Sequence, residues 1–113
     1  MRDPARGEVW YADLNPVRGR EQAGHRRVLV VSSNLFNESP AELVIVLPIT
    51  SKEKGIRSHV PMAPPEGGLK SRSYIKCEDV RSIAKERLTK RLGWAKAATM
   101  AEVESHLRYL MEL

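Results

Sequence analysis

The sequence predicts a small, mainly β domain: a strongly bent sheet or barrel of five to seven short strands, with minor helical turns and a terminal helix. Three observations lead there. Short segments rich in β-branched and aromatic residues recur between glycine, proline and asparagine turn signals. Only the C-terminal segment switches to helical spacing. A chain of 113 residues, 42% of them hydrophobic, can build one modest core but not two, so residues 1–113 form a single domain.

Glu8–Leu14, between Gly7 and the Asn15-Pro16 turn signal, reads as the first strand, and Val28–Ser32 as the second. Asn34–Ser39 has room for one helical turn before Pro40. Leu43–Thr50 is a long apolar strand, and Pro48 predicts an edge or a bulge at its end. Lys52–Arg57 reads as a charged loop, His59–Met62 as a short strand and Pro64–Gly68 as a turn. Ser73–Cys77, Val80–Ile83 and Leu88–Leu92 complete the strands, with a short turn over Ala84–Arg87. Thr99 followed by Glu102 predicts a capping box. Met100, Val103, Leu107, Leu110 and Met111 then recur at helical spacing, so one amphipathic helix packs on the sheet.

Composition narrows the function. The longest apolar run, Leu43–Leu47, is far too short to span a bilayer, and Met1–Gly7 contains no apolar signal region, so no membrane association is expected. A lone cysteine, Cys77, cannot form an internal disulfide, which fits a reducing cytoplasm. The net charge of +5 favours polyanionic partners. Its cations cluster on loops, as Arg18, Arg20, Arg26 and Arg27, then Lys52, Lys54 and Arg57, then Lys70 and Arg72, and such clustering points to nucleic acid.

The chain is organised around Asn15–Ser32, a polar loop punctuated by Pro16, Gly19 and Gly24 that feeds into the apolar strand at Val28. Arg18, Arg20, Glu21, Gln22, His25, Arg26 and Arg27 place cations, a carboxylate, an amide and an imidazole at a strand mouth. Other chemistries fall away. His25, His59 and His106 stand apart from further ligands, so no metal is expected. Gly19 and Gly67-Gly68 make neither a phosphate loop nor a dinucleotide fingerprint, so no nucleotide cofactor is expected. Cys77 sits in an apolar strand and reads as a buried small hydrophobe.

There remain Arg26 at one strand mouth and Thr50-Ser51 at the exit of the next. If these strands are neighbours, the guanidinium and the hydroxyls can converge on one phosphate, a pair that suits phosphoryl transfer without metal. RNA brings its own nucleophile, the 2′-hydroxyl, so the protein has only to align it, neutralise the phosphorane and move protons, with Glu21 and His25 in loop reach. Taken singly, Thr50 also reads as an ordinary strand-end threonine and His25 as a solvated loop histidine.

These residues carry a family resemblance. Arg6-Gly-Glu-Val-Trp10, Leu14-Asn-Pro16, Glu21-Gln-Ala-Gly-His-Arg26, Val28-Leu-Val-Val-Ser32, Pro48-Ile-Thr-Ser51 and Val80-Arg-Ser-Ile83 resemble, in order and spacing, the MazF/PemK/Kid toxins. The resemblance implies an SH3-like antiparallel barrel with a C-terminal helix. It also implies a metal-independent, sequence-specific endoribonuclease that cuts single-stranded RNA, forms a homodimer, is silenced by an acidic antitoxin and binds DNA together with it. Arg26 then falls on the family's catalytic arginine and Thr50 on its catalytic threonine, with Glu21 and His25 as proton-transfer candidates. Arg20, Glu21, Gln22, Arg27, Ser51, Ser73 and Lys76 are the expected RNA contacts. A related branch of toxins poisons DNA gyrase by protein contact, which makes a non-catalytic binder the alternative function.

Two positions depart from the family pattern. Arg27 stands where a proline usually follows the catalytic arginine, so it either assists phosphate binding or displaces the register by one. Glu78-Asp79 replaces an acidic residue followed by glutamine, which bears on base recognition more than on cleavage.

Overall fold

A computed structural model describes residues 3–14 and 24–113. The strands are β1 (Glu8–Asp13), β2 (His25–Val30), β3 (Leu43–Thr50), β4 (His59–Met62), β5 (Ser73–Lys76), β6 (Arg81–Ala84) and β7 (Leu88–Trp94); the helices are α1 (Asn34–Asn37) and α2 (Ala97–Met111). The strands form one antiparallel sheet in the order β4-β5-β3-β2-β1-β7, and β6 also pairs with β3. The sheet is bent rather than closed by strand pairing, as β4 and β7 remain at opposite ends of the path. The turn after β4 covers the gap by backbone contact: a Cβ on Gly68, at φ +70°, would fall 2.1 Å from the Leu92 carbonyl oxygen.

Both faces of the central strands are buried, and this is why they read as apolar runs instead of alternating. Leu29 of β2 and Leu47 and Ile49 of β3 join one cluster with Val60, Met62, Ile75 and Cys77, against which Val103 of α2 packs. Val28 and Val30, with Val44 and Val46, join a second cluster with Trp10, Ile83 and Leu88. Leu110 and Met111 continue the helical spacing but are 40% and 45% exposed, so the apolar face of α2 outruns the sheet beneath it.

Four expectations change. First, β2 starts at His25, not Val28, because His25, Arg26 and Arg27 pair with Asp13, Ala12 and Tyr11. Ladder bonds use backbone groups and are indifferent to side-chain polarity, so a reading of hydrophobic pattern misses those three residues. Second, β3 is central, and Pro48 lies at neither edge nor bulge. The Ile45 carbonyl accepts the Val31 amide, so alternation turns the Pro48 nitrogen away from β2, into the gap between the β6-paired Leu43–Val46 and the β5-paired Ile49-Thr50. Third, β5 stops at Lys76, and Cys77–Asp79 form a 3₁₀ turn. Fourth, the cap of α2 is not a local box. The N-cap is Lys96, whose backbone amide donates to Glu66 Oε2 at 2.8 Å while the Thr99 hydroxyl donates to the same oxygen at 2.5 Å. The carboxylate comes from the turn after β4 and faces the helix N-terminus, where negative charge is favoured.

The Arg6-Gly-Glu-Val-Trp10 segment anchors this frame. Glu8 is fully buried, and its Oε1 accepts the Ala5 amide at 2.7 Å and the Trp10 indole N–H at 3.1 Å. Arg6 donates to Glu104 on α2 at 2.6 Å and to the Val31 carbonyl, tying helix to sheet. No helix among the described residues is long and apolar enough to cross a membrane.

Candidate active site

Pairing of β2 with β3 sets Arg27 opposite Ile49 and Val28 opposite Pro48. Continuing that register by one residue brings Arg26 beside Thr50. Residues opposite each other in an antiparallel pair share a face, with Cβ atoms about 5 Å apart. Arg26 is exposed and Thr50 half-buried at the open end of this pair. They line a cleft of about 330 Å³ with Tyr11, His25, Arg27, Ile49, Ser51, Lys52, Lys54 and Lys76. Among these described lining residues there are five fixed cations and no carboxylate, which makes the cleft a receptor for polyanions.

The two arginines are separated by the strand's alternation. Arg27 faces the side of Leu29, and its Nη1 donates to Ser73 Oγ at 2.7 Å. The Ser73 hydroxyl in turn donates to the Ser71 carbonyl at 3.0 Å, which leaves its oxygen to accept from the guanidinium. Ser73 is fully buried, so the structure places it as the seat of Arg27 and not among the residues lining the cleft. Thr50 Oγ1 accepts the Lys52 amide at 3.2 Å. An oxygen that accepts this amide keeps its own proton to donate into the cleft. Lys76 lines the cleft with its ammonium 2.8 Å from Asp79 Oδ2, at one of the two positions that depart from the family pattern.

Beside the cleft, Glu78 accepts from the Ser58 hydroxyl at 2.6 Å and sits 2.8 Å from His59 Nε2. Burial by itself would raise the Glu78 carboxyl, but the Ser58 hydroxyl, its own backbone amide and the His59 ring together hold it below the ordinary glutamate value. Cys77 is fully buried, and burial first, then Glu78 and Glu102, push its thiol up to about 12. It stays protonated and unreactive at neutral pH, as a small hydrophobe would.

Of the residues expected from sequence, the fold brings together His25, Arg26, Arg27, Thr50, Ser51 and Lys76. Arg20, Glu21 and Gln22 lie outside the described residues. The cleft also takes in Tyr11, which the sequence does not single out, and Lys52 and Lys54, which the sequence offers only as part of the basic clustering that points to nucleic acid. The signal for Tyr11 is the register that sets it opposite Arg27.

Comparison with known proteins fixes the relationship. A family profile described as PemK-like, MazF-like toxin of type II toxin-antitoxin system matches residues 5–111. The chain belongs to that family. It is 34% identical over 113 residues to Endoribonuclease MazF9 of Mycobacterium tuberculosis, covering 96% of each chain. It is 33% identical to Endoribonuclease EndoA of Bacillus subtilis, covering 96% of this chain and 94% of that one. Among solved structures, MazF of Deinococcus radiodurans superposes over the whole of both chains with a TM-score of 0.86 at 28% identity. A mycobacterial endoribonuclease in complex with its cognate antitoxin superposes with a TM-score of 0.79 at 26% identity, over 100% of this chain and 97% of that one. The expected family fold is thus the one found, with its sheet bent but not closed by strand pairing.

Proposed function

We propose that the cleft binds single-stranded RNA and cleaves it by attack of the RNA's own 2′-hydroxyl. The chain is a toxin-type endoribonuclease, the activity named for its curated relatives. The observation that carries the reading is the juxtaposition of Arg26 and Thr50 on one face of adjacent strands, in a cleft that Lys52, Lys54 and Lys76 also line.

The chemistry follows from those groups. The 2′-oxygen attacks phosphorus and gives up its proton, the bond to the 5′-oxygen breaks, and that oxygen takes a proton. The products are a 2′,3′-cyclic phosphate and a 5′-hydroxyl. Arg26 offers a planar fork that neutralises the phosphorane and can pass a proton on, while Thr50 donates to a non-bridging oxygen. His25, which lines the cleft, and Glu21, four residues before it in the sequence, are the candidates for proton transfer. The surrounding lysines, Arg20, Gln22, Arg27 and Ser51 hold the strand, and Ser73 acts through Arg27.

An antitoxin completes the assignment, since the relatives' structures include toxin–antitoxin complexes. An acidic antitoxin segment would compete with RNA for the same cations. A homodimer would cover apolar surface that the monomer leaves open, notably Trp94 at 50% exposure and Leu113 at 83%. Acting on cellular RNA places the protein in the cytoplasm. Incubation of purified protein with a long mixed-sequence RNA in EDTA, followed by end-group analysis, tests the reading. Cyclic phosphate and 5′-hydroxyl ends are expected, and intact RNA would overturn it.

A further inference from the structure

The row that holds Arg26 and Thr50 continues one strand further. Thr50 pairs with Tyr74 across β3 and β5, and Tyr74 pairs with Pro61 across β5 and β4. Arg26, Thr50 and Tyr74 therefore lie side by side on one face of three consecutive strands, at about 4.8 Å per strand. Past Thr50 the row leaves the cationic cleft and enters a second hollow of about 190 Å³. Lys54 lines both, so the two are contiguous.

The second hollow has a different character. The Arg72 guanidinium lies over the Tyr74 ring with Cζ 5.8 Å from its centroid, and Arg72 Nε donates to the tyrosine hydroxyl at 3.3 Å. Arg72 is exposed and Tyr74 half-buried, beside Ile56 and Pro61. Neither planar group belongs to the apolar clusters that hold the fold together. Two accessible planes beside the apolar Ile56 and Pro61, in a hollow that Glu53, Lys54 and His59 also line and one strand from the proposed phosphate site, match what an unstacked nucleobase needs.

We propose that Tyr74 and Arg72 form a stacking platform for an RNA base flanking the scissile phosphate. The inference rests on the cleft being the RNA-cleaving site, and it adds a binding subsite outside the catalytic pair. Every base has a face that stacks, so the platform supplies affinity and fixes which nucleotide lies over Thr50. Neighbouring contacts then read the base edge.

The test separates stacking from charge and from folding. Binding is measured by fluorescence anisotropy on a mixed-sequence single-stranded RNA with 2′-fluoro groups replacing every 2′-hydroxyl, which cannot be cut by its own ribose. Tyr74→Phe keeps the ring and should bind within about twofold of wild type, while Tyr74→Leu should bind roughly tenfold or more weakly. On all-ribose RNA, Tyr74→Leu should also lose discrimination at one position next to the cut. Arg72→Lys, on an exposed side chain, keeps the charge and removes the plane; a several-fold rise in KM with the same loss of discrimination is expected even if the leucine variant fails to fold. Wild-type affinity and an unchanged cut pattern in both Tyr74→Leu and Arg72→Lys would overturn the platform while cleavage by the wild type still stood. Failure of the wild type to cut would instead overturn the endoribonuclease reading, and the 2′-fluoro binding comparison would still decide the platform.

Discussion

The Arg27 guanidinium reaches across the central strand β3 to donate to the buried hydroxyl of Ser73, 2.7 Å away on β5. The contact commits Arg27 to the Leu29 side of β2 and leaves Arg26 on the Thr50 side. Adjacent arginines that look equivalent in sequence thereby acquire different work. Arg26→Lys keeps the charge and loses the fork, so cleavage should fall by two or more orders of magnitude with folding retained. Arg27→Lys should cut within about tenfold of wild type. The reverse ranking in single-turnover assays would make Arg27 the catalytic arginine.

Thr50 tests the mechanism through the substrate. Thr50→Ala removes one donor to the developing charge and should slow cutting by roughly two to three orders of magnitude. Replacing the ribose 5′ of the scissile phosphate by deoxyribose should abolish cutting and preserve binding, because the attacking oxygen is gone while bases and phosphates remain. Affinity of Thr50→Ala for that deoxy-substituted strand should match wild type. Normal cleavage of the deoxy-substituted RNA would sink 2′-hydroxyl attack.

Glu78 makes stability depend on pH. Its carboxyl releases a proton more readily folded than unfolded, so its contribution is present above the ordinary glutamate value of about 4.3. That contribution is lost as pH falls through the lowered value. Glu78→Gln should therefore melt below wild type at pH 7, with the gap closing as the solution is acidified below about pH 4. A gap that stays constant down to strong acid would show that the Ser58 and His59 contacts do not depend on ionised Glu78.

Glu66 caps a helix whose N-cap, Lys96, lies 30 residues later in the chain. Glu66→Ala should cost about 0.5–2 kcal/mol, the range for loss of a helix cap, readable by urea denaturation. Glu102→Ala should cost much less, because Thr99 is engaged by Glu66. Equal losses in the two variants would restore the local capping box.

Local pattern carries much of this protein. Leu43–Thr50 could be bounded by eye because both its faces are apolar and turn residues flank it, and the terminal helix because 3.6-residue spacing persists to the chain end. The pairing of Arg26 with Thr50 was legible as chemistry, since a phosphate needs a fork and a hydroxyl. Whether those strands are neighbours was not, because strand order depends on contacts between residues distant in sequence. The same limit explains the rest. The ladder to β1 drew the charged His25–Arg27 into a strand, and a change of partner along β3 made room for Pro48 within it. A carboxylate from another turn capped α2, and Ser73, plausible in sequence as an RNA contact, became the buried seat of Arg27. Each of these outcomes turns on which backbone or side chain satisfies a polar group from across the fold, and that is settled only when the sheet bends and its strands take their register.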